Sequence, residues 1–299
     1  MSWSSFDRAW RIVLFAILGF LATAPAATQV TGPVFPQAFV VEHGLVQTDA
    51  DGSVFATDPV TDTYGGSWIV SQRADGSRVI VDFSRREITE VRPAETRYSV
   101  LGFDRMAQLL RELAVLEGGG EASSKTAEGQ EDARLRVVEL EAAKTGGKTG
   151  RPADRPGVRH LRVLRDGPNG ADDQILLDAW FDPEIRLGAR ALAALDHFEM
   201  EILGAGARAA LVPKALAAAR LEAAGALAVL TRRPMVAGAA ASGSIEDVTH
   251  RVETIDAVPL DLVTVPEGFR RTPHPLELMV AHAEREAELN ALMGGGRPE

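Results

Sequence analysis

SWIVSQRADGSRVIVDFSRREITEV, residues 67–91, is the stretch that decides the fold. Apolar and polar residues alternate along much of it, as they do in strands whose two faces meet different surroundings. Asp75-Gly76 interrupts the alternation, and this pair is typical of a hairpin turn because glycine adopts a positive φ without steric cost. The stretch therefore predicts three strands, at 67–73, 77–83 and 87–91, that pair as an antiparallel meander.

Further strand patterns continue on both sides of this meander. They are expected at 37–46, 97–101, 135–140, 158–165, 174–181, 226–232 and 245–255. Residues 260–265 are expected to form a short edge segment, because Pro266 follows and proline cannot donate to a ladder.

After residue 102 the apolar residues no longer alternate with polar ones but recur every three or four positions, as they do in a helix. This spacing places five apolar residues on one face of a helix: Met106, Leu109, Leu110, Leu113 and Leu116. They predict a helix over 103–117, with Asp104 as its cap or in its first turn. Further helices are expected at 187–203, 213–224 and 275–293. Strands grouped with helices in this order predict an α+β fold.

The amino terminus predicts export from the cytoplasm. Arg8 and Arg11 precede an apolar run over 12–21, and the run ends in Ala24-Pro25-Ala26-Ala27. A basic start, a short apolar middle and small residues at the end are typical of a secretory signal peptide. The run is about half of the ~20 residues that span a bilayer. We expect cleavage after Ala26, giving a periplasmic or secreted protein that is not integral to the membrane.

Three regions are expected along the chain. Residues 1–26 form the signal peptide, 27–275 the folded domain, and 276–299 a carboxyl-terminal helix with a disordered tail. Within the domain, 118–133 and 145–157 are polar, rich in glycine or charge and without an apolar period, which predicts flexible loops.

Composition excludes several functional classes. The formal net charge is -10, and a chain of this sign repels phosphate backbones, so no nucleic-acid partner is expected. The chain has no cysteine, which excludes disulfides, a thiolate nucleophile and cysteine-based metal sites.

Two short motifs resemble binding loops. Gly146-Gly147-Lys148-Thr149 contains the G-K-T of a phosphate loop, but Ala142 stands where the first glycine of that motif belongs. Residues 47–58 resemble a calcium loop in which Gln47 replaces the first aspartate and Asp58 the final glutamate. We interpret the first as a flexible loop and the second as a polar turn, with a weak calcium site as the alternative.

No catalytic, cofactor or metal site is predicted. The six histidines lack the short-range pairing of a zinc site, and no G-x-S-x-G nucleophile motif is present. Each histidine is expected to be a surface residue or one with satisfied hydrogen bonds. A site assembled only in space stays possible on this reasoning.

A family resemblance follows from the order of the motifs. The Trp68 strand, the hairpin at Asp75-Gly76, the strand Val79-Ile80-Val81-Asp82-Phe83 and the later Val265-Pro266-Glu267-Gly268-Phe269 occur in series. This series resembles exported bacterial proteins of unknown function built on the half-barrel of the LolA/LppX-like lipoprotein carriers, over roughly residues 37–275. The resemblance implies a curled antiparallel sheet around helices with an apolar cavity, and it brings no catalytic residues.

The resemblance implies a non-enzymatic envelope protein that binds a hydrophobic ligand or a lipidated partner, with the helix over 103–117 as a lid. The expected cavity-lining residues are aromatic or apolar: Trp68, Phe83, Tyr98, Met106, Leu110, Leu113, Trp180 and Phe269. The alternative is an envelope interaction module whose barrel is filled by its own side chains, and a hydrolase is the least favoured reading. Aromatic residues fill cores in most proteins, which supports the filled alternative.

Overall fold

A computed structural model describes residues 32–116, 134–140, 157–166, 173–203, 211–237 and 240–294. The predicted signal peptide, the G-K-T segment, the loop over 118–133, nearly all of the loop over 145–157 and the tail after 294 lie outside these residues.

Thirteen strands lie within the described residues. They are β1 (Phe35–Asp49), β2 (Val54–Ala56), β3 (Val60–Gly66), β4 (Trp68–Gln72), β5 (Arg78–Asp82), β6 (Glu87–Arg92), β7 (Arg97–Gly102), β8 (Leu135–Leu140), β9 (Arg159–Arg165), β10 (Gln174–Arg186), β11 (Ala226–Ala237), β12 (Ala240–Ile255) and β13 (Arg270–Arg271).

Five α-helices accompany the strands in the described part of the chain. They are α1 (Phe103–Ala114), α2 (Ala189–Leu203), α3 (Leu211–Glu222), α4 (Leu260–Val263) and α5 (Pro275–Gly294). None of these described helices is long and apolar enough to cross a membrane.

All thirteen strands form one open sheet in an α+β arrangement. Its order is β13-β7-β6-β5-β4-β3-β1-β12-β11-β10-β9-β8, with β2 also paired to β1. Every pair is antiparallel except β13 with β7. Strand β1 thus lies between β3 and β12 and joins the amino-terminal meander to the carboxyl-terminal half of the sheet.

The predicted meander is confirmed as β4, β5 and β6. At its first turn the Arg73 amide donates to the Ser77 carbonyl over 2.9 Å. Gly76 has φ of 79°, which the turn requires. The prediction missed β3, because its sequence VTDTYGG is polar and contains two glycines. It was wrong at 260–265, where Leu260–Val263 form the short helix α4.

One face of the sheet carries the main core, and we call it the helix face. Side chains from β1 and β3–β7 pack there against α1, α2 and α5. A second cluster joins α3 to β9, β10 and β11 on the same side. Phe198 of α2 lies 5.7 Å from Phe83 and 4.7 Å from Phe103, measured between ring centroids. Helix α5, set apart in the sequence analysis, contributes Leu276 and Val280 to this core.

On the opposite face, residues 258–269, which we call the strap, cover part of β4–β7. Its side chains pack on Val70, Ile80 and Val91, which alternate with the residues of the helix face. Arg78 fixes the strap because its guanidinium donates to the carbonyls of Asp261 and Thr264, over 3.0 and 2.7 Å.

Candidate functional site

The buried polar centre of the helix face is the candidate site. His43 of β1 lies between two carboxylates from its neighbouring strands. Its Nδ1 is 2.8 Å from Asp247 Oδ1 on β12, and its Nε2 is 3.2 Å from Asp62 Oδ2 on β3. The side chains are 3%, 8% and 5% exposed, so all three are removed from solvent.

A β-bulge brings Asp247 to this position. The register of β12 steps from Arg251 opposite Glu42 to Thr249 opposite His43, which leaves His250 as the extra residue. Val252 packs against the main core on the helix face. In a regular strand, Asp247 and Val252 would lie on opposite faces because they are five residues apart. The extra residue of the bulge places both on the helix face.

The hydrogen-bonding geometry determines the charge of the histidine. Ionised carboxylates only accept hydrogen bonds, and a neutral imidazole has a single N–H. Burial opposes a charge on His43, but the carboxylates of Asp247 and Asp62 outweigh it and raise its pKa well above the ordinary value. These charges favour the imidazolium, whose Nδ1 hydrogen-bonds to Asp247 and whose Nε2 faces Asp62 as an ion pair.

A second polar group joins the centre to the helices. The Tyr64 hydroxyl donates to Asp62 Oδ2 over 3.3 Å, and Arg220 of α3 and Glu199 of α2 are both buried nearby. Arg220 Nη1 lies 3.9 Å from Asp196 Oδ1. Burial raises the pKa of Glu199 well above its usual range, although Arg220 opposes this.

Chemically, this centre can hold a proton and bridge strands. Both ring nitrogens of His43 face carboxylates and the ring is buried, so it cannot act as a base on an external substrate in this conformation. Within the described residues, no group of three or more His, Asp or Glu side chains is placed to hold a metal ion.

The eight predicted cavity residues fall into three places. Four lie in or against the core of the helix face: Phe83, Met106, Leu110 and Leu113. Three lie on the other face, Trp68 and Tyr98 on the sheet beneath the strap and Phe269 at the end of the strap itself. Trp180 instead stacks on His160, with ring centroids 3.9 Å apart. The structure thus does not gather the eight around one space.

A surface depression of about 560 Å³ lies between the β7 edge and the start of α5. Its lining mixes apolar and polar side chains: Val100, Arg271, Thr272, Pro273, Glu277 and Leu278. Leu278 is 55% exposed at this place. The apolar spacing of the carboxyl-terminal helix includes Leu278, but no sequence pattern relates this leucine to Pro273 or Val100.

The predicted polar turn near residue 51 is observed, as β1 and β2 pair around it. The Ser53 amide donates to Asp51 Oδ1 over 2.8 Å, which closes the turn locally. The expectation for the histidines fits only in part, because Nε2 of His43 and Nε2 of His160 have no hydrogen-bond partner among the described residues. His43 and His160 have partners in the sheet, His274 is buried at the start of α5, and His250 is exposed.

No family model and no curated protein matches the sequence. An uncharacterized conserved protein from Thermus thermophilus is similar with TM-score 0.36 and 4% identity, over 80% of this chain and 91% of that one. PNGF-II gives TM-score 0.33 and 9% identity over 83% of this chain, which spans only 33% of PNGF-II. A LolA superfamily protein from Nitrosomonas europaea gives TM-score 0.27 and 9% identity, over 77% of this chain and 91% of that one. Similarities at these TM-scores carry no functional argument.

Proposed function

We propose that the protein is an exported, non-enzymatic binding module of the cell envelope, with a LolA-like half-barrel filled by its own side chains. Its partner on this proposal is another envelope protein, bound at the outer surface. The observation that carries the proposal is the packing of the helix face, which occupies the place where a carrier would hold its ligand.

Close aromatic packing supports a filled interior. The ring of Phe83 contacts those of Phe35, Phe103 and Phe198, with centroids 5.7 to 6.2 Å apart. Leu109 of α1 is completely buried against the same cluster. An acyl chain would have to displace these contacts, and each displaced aromatic side chain costs several kcal/mol of packing, about 3–5 on truncation.

The polar centre also supports this proposal. Asp62, Asp247 and Arg220 lie on the same side of the sheet as the apolar core, and an acyl chain cannot hydrogen-bond to them. The enclosure of His43 supports a role other than hydrolysis, because no substrate reaches its ring.

The surface depression supplies the first place to look for a protein partner. Leu278 there is a half-exposed apolar side chain beside Val100 and Pro273. A photo-crosslinking amino acid at position 278, in the native host, is expected to give one adduct of defined mass. The same group at Leu221, which is 84% exposed on α3, is the matched control and is expected to give none. Equal labelling at both positions, or none at either, contradicts the assignment.

A hydrophobic ligand is the second candidate, favoured by the size of this depression. A volume of about 560 Å³ lies within the ~300–1,000 Å³ range of small-molecule sites. Burial of an acyl chain would contribute about 0.8 kcal/mol per CH₂. This candidate predicts saturable binding of a fluorescent fatty acid, weakened at least tenfold by Leu278→Asp and unchanged by Leu221→Asp. Unsaturable binding by the native chain rejects it.

A further inference from the structure

His43 occupies the centre of the sheet, with a carboxylate on each side and no solvent contact of consequence. We propose that His43 is a proton-dependent clamp: its imidazolium form fastens β3 and β12 to β1, and loss of the ring proton weakens the middle of the sheet. This inference goes beyond the proposed binding function and does not depend on it.

The number of donors on the ring is the first ground for the clamp. Distances of 2.8 and 3.2 Å place one carboxylate oxygen at each ring nitrogen. Only the imidazolium can donate at both positions. A neutral ring would leave one carboxylate facing a lone pair, which is a repulsive contact inside the protein.

The surrounding charges form a balanced set. Asp62 from β3 and Asp247 from β12 face the ring directly, and Tyr64 donates to Asp62. Arg233 from β11 interacts electrostatically with Asp247. On the helix side lie Arg220 of α3 and the two acids of α2, Asp196 and Glu199. Three cations, His43, Arg220 and Arg233, face the carboxylates of Asp62, Asp247 and Asp196, and removing the proton from His43 takes one positive charge from this set.

Loss of this proton has a specific structural cost. Within the described residues, Asp62 Oδ1 and Asp247 Oδ2 already have no hydrogen-bond partner. Asp247 Oδ1 hydrogen-bonds to His43, whereas Asp62 also accepts from Tyr64, so Asp247 depends on His43 more directly. A buried carboxylate that loses its donor is strongly destabilising, because it retains its desolvation cost without the matching interaction.

The direction of the pH dependence follows from linkage. Partner carboxylates raise the pKa of folded His43 above the unfolded value near 6.5, against the effect of burial. The stabilisation by His43 is therefore complete below its unfolded pKa and is lost as the pH rises through its folded pKa. Over that window the folding equilibrium constant falls by up to about tenfold per pH unit from this group.

The direct test is NMR of the full chain labelled with ¹⁵N-histidine. His43 signals are assigned by their loss in His43→Gln, and His282, which is 51% exposed, serves as the internal reference. We expect both His43 nitrogens to be protonated at pH 7.5, with a midpoint more than one pH unit above that of His282. A neutral His43 tautomer at pH 7.5, or a midpoint no higher than that of His282, overturns the proposal.

A variant identifies the partner. Asp247→Asn keeps the shape and an accepting oxygen but removes the charge, so it is expected to lower the His43 midpoint by at least one pH unit. Glu253→Gln, on the same strand and 51% exposed, is the matched control and is expected to leave it unchanged. An unchanged midpoint in Asp247→Asn contradicts the clamp. If that variant does not fold, the measurement on the native chain decides alone.

Discussion

At the residue scale, Gly65 marks the closest approach between β3 and the strap. A Cβ added there would lie 2.6 Å from Val258 Cγ2 and 2.8 Å from Ala38 Cβ, which is closer than real Cβ contacts. Glycine is therefore required by space on the face that the strap covers. Gly65-Gly66 also weakened the strand pattern of β3, so the same requirement explains why the sequence did not predict this strand.

Gly65→Ala is expected to destabilise the protein by about 1–3 kcal/mol, since overpacking forces β3 and the strap apart. Urea unfolding followed by tryptophan fluorescence measures the change. Gly188→Ala is the control, because the nearest atom to its added Cβ is Pro36 Cγ at 3.9 Å. A loss at Gly65 no greater than that at Gly188 would show that the strap moves aside freely.

The buried polar centre is a residue-scale feature that sequence reasoning missed. His43 lies in an otherwise apolar strand, which is a weak signal for a buried, satisfied histidine. Its partner Asp247 is 204 positions away, and a bulge at His250 directs it inward. Alternation of apolar and polar residues does not predict where a bulge occurs, and so does not predict the face on which Asp247 lies. The pairing of His43 with Asp247 therefore follows only from the folded structure.

At the element scale, the start of α5 is a reciprocal cap. His274 Nδ1 accepts from the Leu276 amide over 3.2 Å, and Glu277 Oε2 accepts from the His274 amide over 2.8 Å. The cap requires the neutral ring. Burial, with Arg92 nearby, lowers the pKa of His274 to about 4, so the ring is neutral at pH 7.

This cap predicts a loss of stability in acid. The folded pKa of His274 is lowered, so its contribution is present above the unfolded value near 6.5 and is lost as pH falls toward 4. The loss from this group is about 3 kcal/mol. His274→Asn keeps a capping side chain without a titrating ring, and its stability is expected to change less between pH 6.5 and 4. Urea unfolding of both proteins at pH 6.5 and pH 4 measures the free energy of unfolding. An equal change between these pH values in the two proteins would contradict the assignment.

Elements with long, regular patterns were predicted best. The meander β4–β6 and helices α1, α2 and α5 agree with the alternation and spacing of their apolar residues. Asp104 lies in the first turn of α1, where its carboxylate accepts from Arg86, while Gly102 is the N-cap. The failure at α4 has a physical cause: LDLV alternates like a strand, but the Thr264 hydroxyl donates to the Leu260 carbonyl and closes a helical turn.

At the scale of the whole molecule, chain order and sheet order differ. Pairing of β1 with both β3 and β12 joins segments far apart in sequence. The sequence predicted an antiparallel α+β class because that follows from local periodicity. It could not predict this order, because long-range pairing depends on how the two halves pack rather than on any local pattern.

Export is a prediction about the whole chain. Expression in a Gram-negative host is expected to place the protein in the periplasmic fraction, because the basic start and short apolar run are typical of a secretory signal. Amino-terminal sequencing is expected to begin at Ala27. A retained Met1, with the protein in the membrane fraction, would contradict cleavage and favour an anchored form.

We propose above that side chains of the protein fill the interior of the half-barrel. Native mass spectrometry tests this directly, on protein purified from its own envelope without detergent. The expected result is the mass of the polypeptide that begins at Ala27, with no bound lipid. A stoichiometric lipid adduct that survives gentle desolvation, and that persists in Leu278→Asp where the surface depression is altered, would contradict a filled interior and would make the protein a carrier.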